Sequence, residues 1–361
     1  MSWETAKLKG ISLIQTGKLD SNAAVPNGIY PFFTCDPNTL SIDTWAYDTE
    51  AILLAGNNAS GNYTAKYYCG KFNAYQRTYI IESANKEYLN VRFLSYAMNQ
   101  QLRLLKTMSS GSTTKFLTIR MLHDLDIPLP PIKTQQRMAD ILSAYDNLIE
   151  NNQRQIKLLE EAAQRLYKEW FVDLRFPGYE DIPVVDGVPK GWHRGLLKEL
   201  IDVNYGKDHK KVPDDGDIPV YGSGGLIRKC NKSLFAGEAV LIPRKGSLNH
   251  IMYVNEEFWT VDTMFYATMK KEYTALFVYF FISGFDMYAM NIGAAVPSMT
   301  VKILDAMDVI IPSGDLFKKF DDTVRVFFHE IAVLRKQNEQ LGQARDGLLP
   351  KLMSGEMREE I

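Results

Sequence analysis

Cysteine is scarce: Cys35, Cys69 and Cys230 are the three in 361 residues. Their odd number and wide spacing argue against a disulfide framework, give none of the paired spacings of a zinc site, and fit a reducing cytoplasm. Long apolar runs are missing as well. The most apolar stretch, Ala275 to Phe285, falls far short of the roughly 20 residues a bilayer-spanning helix needs, and no signal peptide opens the chain. The expected location is therefore cytoplasmic, with no membrane partner. Excess charge of one sign is also absent, since 41 Lys and Arg stand against 43 Asp and Glu, a net charge of -2. A free-standing nucleic-acid binder usually carries a basic surplus. Any positive face here has to be local, with part of the affinity for a polyanion coming from a partner.

Catalytic motifs are missing too. No Gly-rich loop ends in Gly-Lys-Ser/Thr, and Gly10 to Lys18 is a near miss with the wrong spacing. The only Pro-Pro is Pro130-Pro131, so the Asn/Asp-Pro-Pro-aromatic tetrad of an amino-methyltransferase does not occur. His123, His193, His209, His250 and His329 lack zinc-ligand spacing, and Pro213-Asp214 is not followed by the acidic-x-Lys element of a metal nuclease. These absences favour a binding protein with no catalytic residue, metal or cofactor of its own. The alternatives are a fused DNA methyltransferase or nuclease, which would bind S-adenosylmethionine or metal in isolation, and a coiled-coil protein scaffold without DNA readout.

What the chain has is repetition. Gly111 to Pro131 aligns without a gap on Gly293 to Ser313 at an offset of 182 residues. Gly111/Gly293, Thr118/Thr300, Leu122/Leu304, Asp126/Asp308 and Pro130/Pro312 are identical, and Ile119/Val301, Arg120/Lys302 and Ile127/Val309 are conservative pairs. Repetition at this length means two copies of a domain, each followed by the same connector. Gly17-Lys18 ahead of Ile29 to Phe32 parallels Gly206-Lys207 ahead of Asp217 to Val220.

After each repeated block comes a heptad seam. Leu142, Tyr145, Ile149, Asn152, Ile156, Leu159, Ala163, Leu166 and Trp170 alternate steps of three and four, and Val324, Phe327, Ile331, Leu334, Asn338, Leu341, Arg345, Leu348 and Leu352 do the same. With no proline before Pro350, both stretches suit long helices that pair. An antiparallel pairing that sets Asn152 opposite Asn338 also sets Leu142 by Leu348, Ile149 by Leu341, Ile156 by Leu334, and Ala163 by Phe327. A parallel pairing at the repeat offset would leave both amides facing leucine or isoleucine. The antiparallel register is therefore expected, with the two amides bonded to each other, so that replacing Asn338 alone strands Asn152.

The fold expected is α+β: two similar globular α/β domains, residues 1–133 and 177–314, separated by two long helices, 134–176 and 315–361, forming an antiparallel coiled coil. The loop holding Pro177, Gly178, Pro183, Gly187, Pro189 and Gly191 marks the boundary between the halves.

At this point the chain resembles the specificity subunit of a Type I restriction-modification system. The matching pieces are Ile218 to Gly225 (IPVYGSGG), Val240 to Ser247 (VLIPRKGS), Trp259 to Thr263 (WTVDT) and Gly293 to Pro312. The first half repeats them more loosely in Tyr30 to Phe33, Ala51 to Gly56 and Ile127 to Pro131, and departs from the pattern at Thr34-Cys35-Asp36. The resemblance implies two target recognition domains, each reading half of a split site on double-stranded DNA. It also implies helices that act as spacer and as docking surface for two modification (methyltransferase) subunits. S-adenosylmethionine and ATP are then expected on the modification and restriction subunits, not on this chain. About 30 paired residues span about 45 Å, against the ~34 Å recurrence of half-sites on one face of B-DNA.

Candidate DNA contacts are loop residues able to donate to phosphates or base edges. In the second domain these are Lys207, His209, Lys210, Lys211, Ser223, Arg228, Lys229, Arg244, Lys245 and Asn249. In the first they are Lys18, Asn57, Asn58, Lys66, Lys71, Gln76, Arg77 and Lys115. Arg244-Lys245 stands out because an apolar run delivers it into a Gly-Ser turn. Asn152 and Asn338 set the helix-pair register.

Overall fold

Ala51-Ile52-Leu53-Leu54 and Ala239-Val240-Leu241-Ile242 are four-residue runs with every side chain buried. Such runs suit strands covered on both faces, where alternation is lost. In the computed structural model, which describes residues 3–58, 63–108, 115–290 and 298–357, each run lies inside a six-stranded sheet. The first sheet runs, edge to edge, Ser12–Thr16, Thr78–Ser83, Tyr47–Ala55, Ala65–Ala74, Tyr30–Phe33, Leu40–Ile42. The second runs Ile201–Tyr205, Met264–Met269, Phe235–Pro243, Met252–Thr260, Ile218–Gly222, Gly225–Cys230. The order is the same, down to one parallel pairing at the same place: Phe32 opposite Asn73 in one sheet and Val220 opposite Trp259 in the other.

Each domain closes where it opens. Thr5–Lys7 pairs antiparallel with Asp126–Pro128, and His193–Leu196 pairs antiparallel with Asp308–Ile311. The repeated block supplies the outgoing strand of each clasp, and its identities have local causes. Thr118 and Thr300 are N-caps, their hydroxyls accepting from the Met121 and Ile303 N–H at 3.3 and 3.2 Å. Leu122 and Leu304 behind them are fully buried. Gly111 and Gly293 lie outside the described residues.

The long helices run over Ile132–Tyr167 and Gly314–Ser354, the first ending in a π-helical turn, Lys168–Val172. Every residue of both seams is buried or half-buried. The chain divides into two units, Met1–Asn152 with Lys336–Ile361, and Gln153–Arg335, so each owns one sheet and one end of each helix. The first unit's core joins Trp3, Ile52, Phe93, Leu142, Leu349 and Leu352. The second's joins Ala163, Phe171, Val240, Phe277, Phe320 and Val324. Inside the second unit Arg325 bonds Asp321 through Nε at 2.8 Å and Glu238 through Nη2 at 2.9 Å, and Glu238 also accepts from the Tyr253 hydroxyl.

The helices pair antiparallel, and polar bonds mark the direction. In the first unit Asp146 meets Arg345 at 2.5 Å and Asn152 meets Gln337 at 3.4 Å. In the second, Glu160 meets Arg335 at 2.8 Å. One detail differs from the sequence expectation. The Asn152 amide donates to Gln337, not to Asn338, and the Asn338 Oδ1 is buried with no hydrogen-bond partner. Glutamine has one more methylene than asparagine, which lets Gln337 reach the seam from its exposed flank. The expected effect of substitution changes sign accordingly. Asn338→Leu removes a buried unsatisfied acceptor, so it should raise stability by about 1 kcal/mol, read as a higher urea midpoint at unchanged slope; a lower midpoint would mean that Asn152 does depend on Asn338.

Candidate nucleic-acid interface

In the second domain four loops meet at one end of the sheet, tied through their backbones. Gly206 N–H donates to the Met264 carbonyl at 3.0 Å, and Lys207 N–H to that of Thr260 at 2.9 Å. Arg244 N–H reaches the Thr263 carbonyl at 2.8 Å, and Val261 N–H that of Tyr221 at 3.0 Å. The Trp259 indole N–H closes on the Lys207 carbonyl at 2.9 Å. Two glycines allow the approach. A Cβ at Gly206 would lie 2.0 Å from the Val261 carbonyl oxygen, and Gly246, at φ +83°, brings its turn against Ser223.

The first domain repeats the four backbone bonds of this frame. Gly17 N–H donates to Thr78, Lys18 N–H to Ala74, Gly56 N–H to Arg77 and Tyr75 N–H to Phe33. The frame sets Gly17 against Gly206, Phe33 against Tyr221, Gly56 against Arg244, and Tyr75 against Val261. Leu117 N–H to the Gly56 carbonyl matches Met299 N–H to the Arg244 carbonyl, both at 2.9 Å. The backbone is shared and the side chains are not. Where the second domain carries Arg244 and Lys245, the first carries Gly56 and Asn57.

Of the candidates in the second domain, Lys207, Lys210, Lys211 and Lys245 are exposed. Lys229 is exposed beside Asp217 at 3.8 Å, and Ser223 offers its carbonyl to His250 Nδ1 at 2.9 Å. Arg228 is spent internally. Its Nε donates to His209 Nδ1 at 3.1 Å, its Nη2 to the His209 and Val212 carbonyls at 2.5 and 2.8 Å, and its Nη1 to the Lys229 carbonyl at 3.1 Å. With four of five N–H donors committed, Arg228 clamps the basic loop 207–212 and leaves presentation to its lysines. Asn249 bridges Asp286 Oδ1 at 3.1 Å and the Met287 N–H at 2.8 Å, holding its own turn.

Arg244 lies over the rings of Tyr205 and Phe265, its guanidinium carbon 5.0 and 5.1 Å from their centroids. Its Nη1 donates to the Asp262 carbonyl at 2.9 Å, and its Nε is buried without a partner.

In the first domain Lys18 and Arg77 are exposed. Gln76 is tied to Asp20 at 2.6 Å, and Lys71 sits over the Trp45 ring at 4.6 Å. Lys66 turns inward to the Pro37 carbonyl at 2.6 Å, and burial lowers its pKa. It fastens the chain just after Thr34-Cys35-Asp36, the segment that stands where the other domain has its Gly-Ser-Gly-Gly turn. Asn57 carries a buried Oδ1 with no partner. The strand residues Asn58 and Lys115 pair with each other through their backbones, but their side chains lie outside the described residues.

Sequence reasoning missed Tyr205 and His250, and had Trp259 and Asp262 only as part of the WTVDT match and not as residues that hold the candidates in place. An aromatic one residue ahead of Gly206-Lys207 is the one linear signal for Tyr205. Among the described residues no group of three or more His, Cys, Asp or Glu could hold a metal ion, and no helix is long and apolar enough to cross a membrane.

Each domain thus holds a six-stranded sheet of the same strand order and a strand clasp, and each is followed by a long helix. The chain belongs to the Type I restriction modification DNA specificity domain family, whose model matches residues 1–161 and 189–341. The Type I restriction enzyme EcoDI specificity subunit of Escherichia coli is 34% identical over 165 residues, 46% of this chain and 36% of that subunit. The MjaIX specificity subunit of Methanocaldococcus jannaschii is 27% identical over 313 residues, 76% of this chain and 69% of its own length. The match to EcoDI thus spans about a third of that relative. The crystal structure of a Type I restriction-modification S subunit from Mycoplasma genitalium shares the fold, with a TM-score of 0.67 at 18% identity over 98% of this chain and 96% of that one.

Proposed function

We propose that this chain is the DNA-reading subunit of a Type I restriction-modification complex, in which each domain reads one half of a bipartite site on double-stranded DNA. The paired helices dock two modification subunits, which supply S-adenosylmethionine chemistry, and restriction subunits that use ATP. The observation that carries this reading is the shared loop frame with unlike tips, Arg244-Lys245 in one domain and Gly56-Asn57 in the other. One scaffold offering different donors at the same place is what reading two different short sequences requires. Nearly balanced net charge agrees with a reader that borrows part of its phosphate affinity from partners.

Mapping methylated adenine across a genome with and without the chain tests the proposal: a split motif should vanish with it, and an unchanged map would overturn the reading. Lys245, exposed at the turn, is the candidate phosphate contact. Lys245→Ala should weaken binding by the assembled complex about equally on all sequences and reduce the salt slope by about 1. An unchanged slope would place Lys245 off the DNA.

A further inference from the structure

We infer that Arg244 is a base-reading residue of the second domain, its guanidinium held by Tyr205, Phe265 and the Asp262 carbonyl to take the paired acceptors of a guanine. The inference deepens the DNA-reading proposal and rests on it.

Several arginines of the fold pair with carboxylates. Arg325 pairs with Asp321 and Glu238, Arg345 with Asp146 and Asp346, and Arg175 with Glu169 and Asp173. Arg228 spends its donors on carbonyls and an imidazole. Arg244 is half-buried, makes no carboxylate pair among the described residues, and has lost water at Nε without gaining a partner there. That buried Nε stays unanswered in any complex, and the donors left for an acceptor arriving from outside are those on Nη1 and Nη2.

The geometry selects among acceptors. Both backbone groups of Arg244 are bonded, N–H to Thr263 and carbonyl to Met299. Two aromatic rings, edge-to-face with each other, lie 5.0 and 5.1 Å from the guanidinium carbon, and the Asp262 carbonyl holds its Nη1. The rotamer freedom an arginine loses on binding is therefore already lost before DNA arrives. One Nη1 hydrogen and both on Nη2 have no bond within the described structure, which leaves a fork of fixed direction. In the major groove guanine alone offers two adjacent acceptors, O6 and N7, to such a fork, whereas adenine sets a donor beside its N7. A phosphate also offers two oxygens to such a fork, but exposed Lys245 next door already supplies a cation for it, and the loss of one base preference distinguishes the two acceptors.

The first domain has no counterpart. Strand register places Thr16 opposite Tyr79 as Tyr205 stands opposite Phe265. With Gly56 in the place of Arg244, the first domain lacks both the cation and the ring that carries its outer face.

The test uses the chain assembled with its modification subunits, comparing Arg244→Lys, Arg244→Ala, Tyr205→Phe and Tyr205→Ala by methylation mapping and by binding to sites varied one base at a time. Arg244→Lys keeps the charge and loses the fork. It should lower the preference for guanine at one position of one half-site by about 10-fold or more. Tyr205→Phe keeps the ring face and should behave as wild type, while Tyr205→Ala should relax the same position as Arg244→Lys. The half-site read by the first domain should not change in any variant, which reports that the complex is assembled and folded.

A motif unchanged in Arg244→Lys and Arg244→Ala would overturn the assignment. So would a uniform loss of affinity with every base preference intact, the signature of a phosphate contact. If the wild-type complex shows no sequence preference at all, it is the DNA-reading proposal itself that falls.

Discussion

Exchanging residues 192–314 for the corresponding segment of a family member that reads another site is expected to replace one half of the methylated motif and leave the other half as it was. The clasp is the reason the graft should fold. His193 pairs with Ile311 and Leu196 with Asp308, so the segment enters and leaves through adjacent strands. The helix ends outside the segment then meet the same backbone positions before and after exchange. Among the described residues, the core of the first unit is built from residues 3 to 142 and 348 to 357. On the swapped half the new sequence should be preferred by about 10³-fold or more, the usual gap between specific and non-specific sites. Methylome sequencing reads the result directly, and alteration of both halves would show that the domains do not read independently.

The second large effect concerns stability. Arg325→Met should destabilise the chain by on the order of 3 kcal/mol at neutral pH, because it leaves the Asp321 carboxylate buried without its cation. Asp321 has a side chain only 1% exposed, and burial raises its pKa above the ordinary 3.8 against the pull of Arg325. A carboxyl raised in the folded state holds its proton to higher pH than in the unfolded chain. Stability from this group therefore falls as pH rises from about the ordinary value through the raised one. Removing Arg325 widens that window upward, so the deficit of the variant should be largest near pH 7 and shrink as pH falls toward 4. Denaturant titrations of both proteins at several pH values check this, and a deficit independent of pH would rule out the stranded carboxylate as its cause. Asp321→Asn added to Arg325→Met should recover much of the loss.

The connectors of this fold were open to sequence reading because their physics is periodic. Burial recurs every three or four residues along Leu142 to Trp170 and Val324 to Leu352, and that rhythm survives any change of side chain that stays apolar. Thr118 and Thr300 were legible as a repeat because each must cap a helix, and Leu122 and Leu304 because each must be buried.

The loop frames were harder to see because their offset drifts. It is 189 residues at Gly17 and Gly206, 188 at Phe33 and Tyr221, 186 at Tyr75 and Val261, and 182 at Leu117 and Met299. Part of the drift comes from the helix after the sheet, which is 18 residues long in the first domain and 9 in the second. Individual partners were not legible at all. Arg228 reads as a surface cation until its four acceptors are known, and whether Asn152 takes Asn338 or Gln337 turns on one methylene.

The unlike tips of the two domains have a consequence for the DNA as well as for the protein. A symmetric dimer of one reading domain faces two equal ends and accepts its site in either orientation, which is why such sites are palindromes. Here both domains belong to a single chain, and one carries Arg244 where the other carries Gly56. On the proposed function the site so read has a left and a right, and the bound complex inherits that polarity. Each partner docked beside one domain then faces a defined strand and a defined direction along the chromosome, an arrow that two identical readers could not supply.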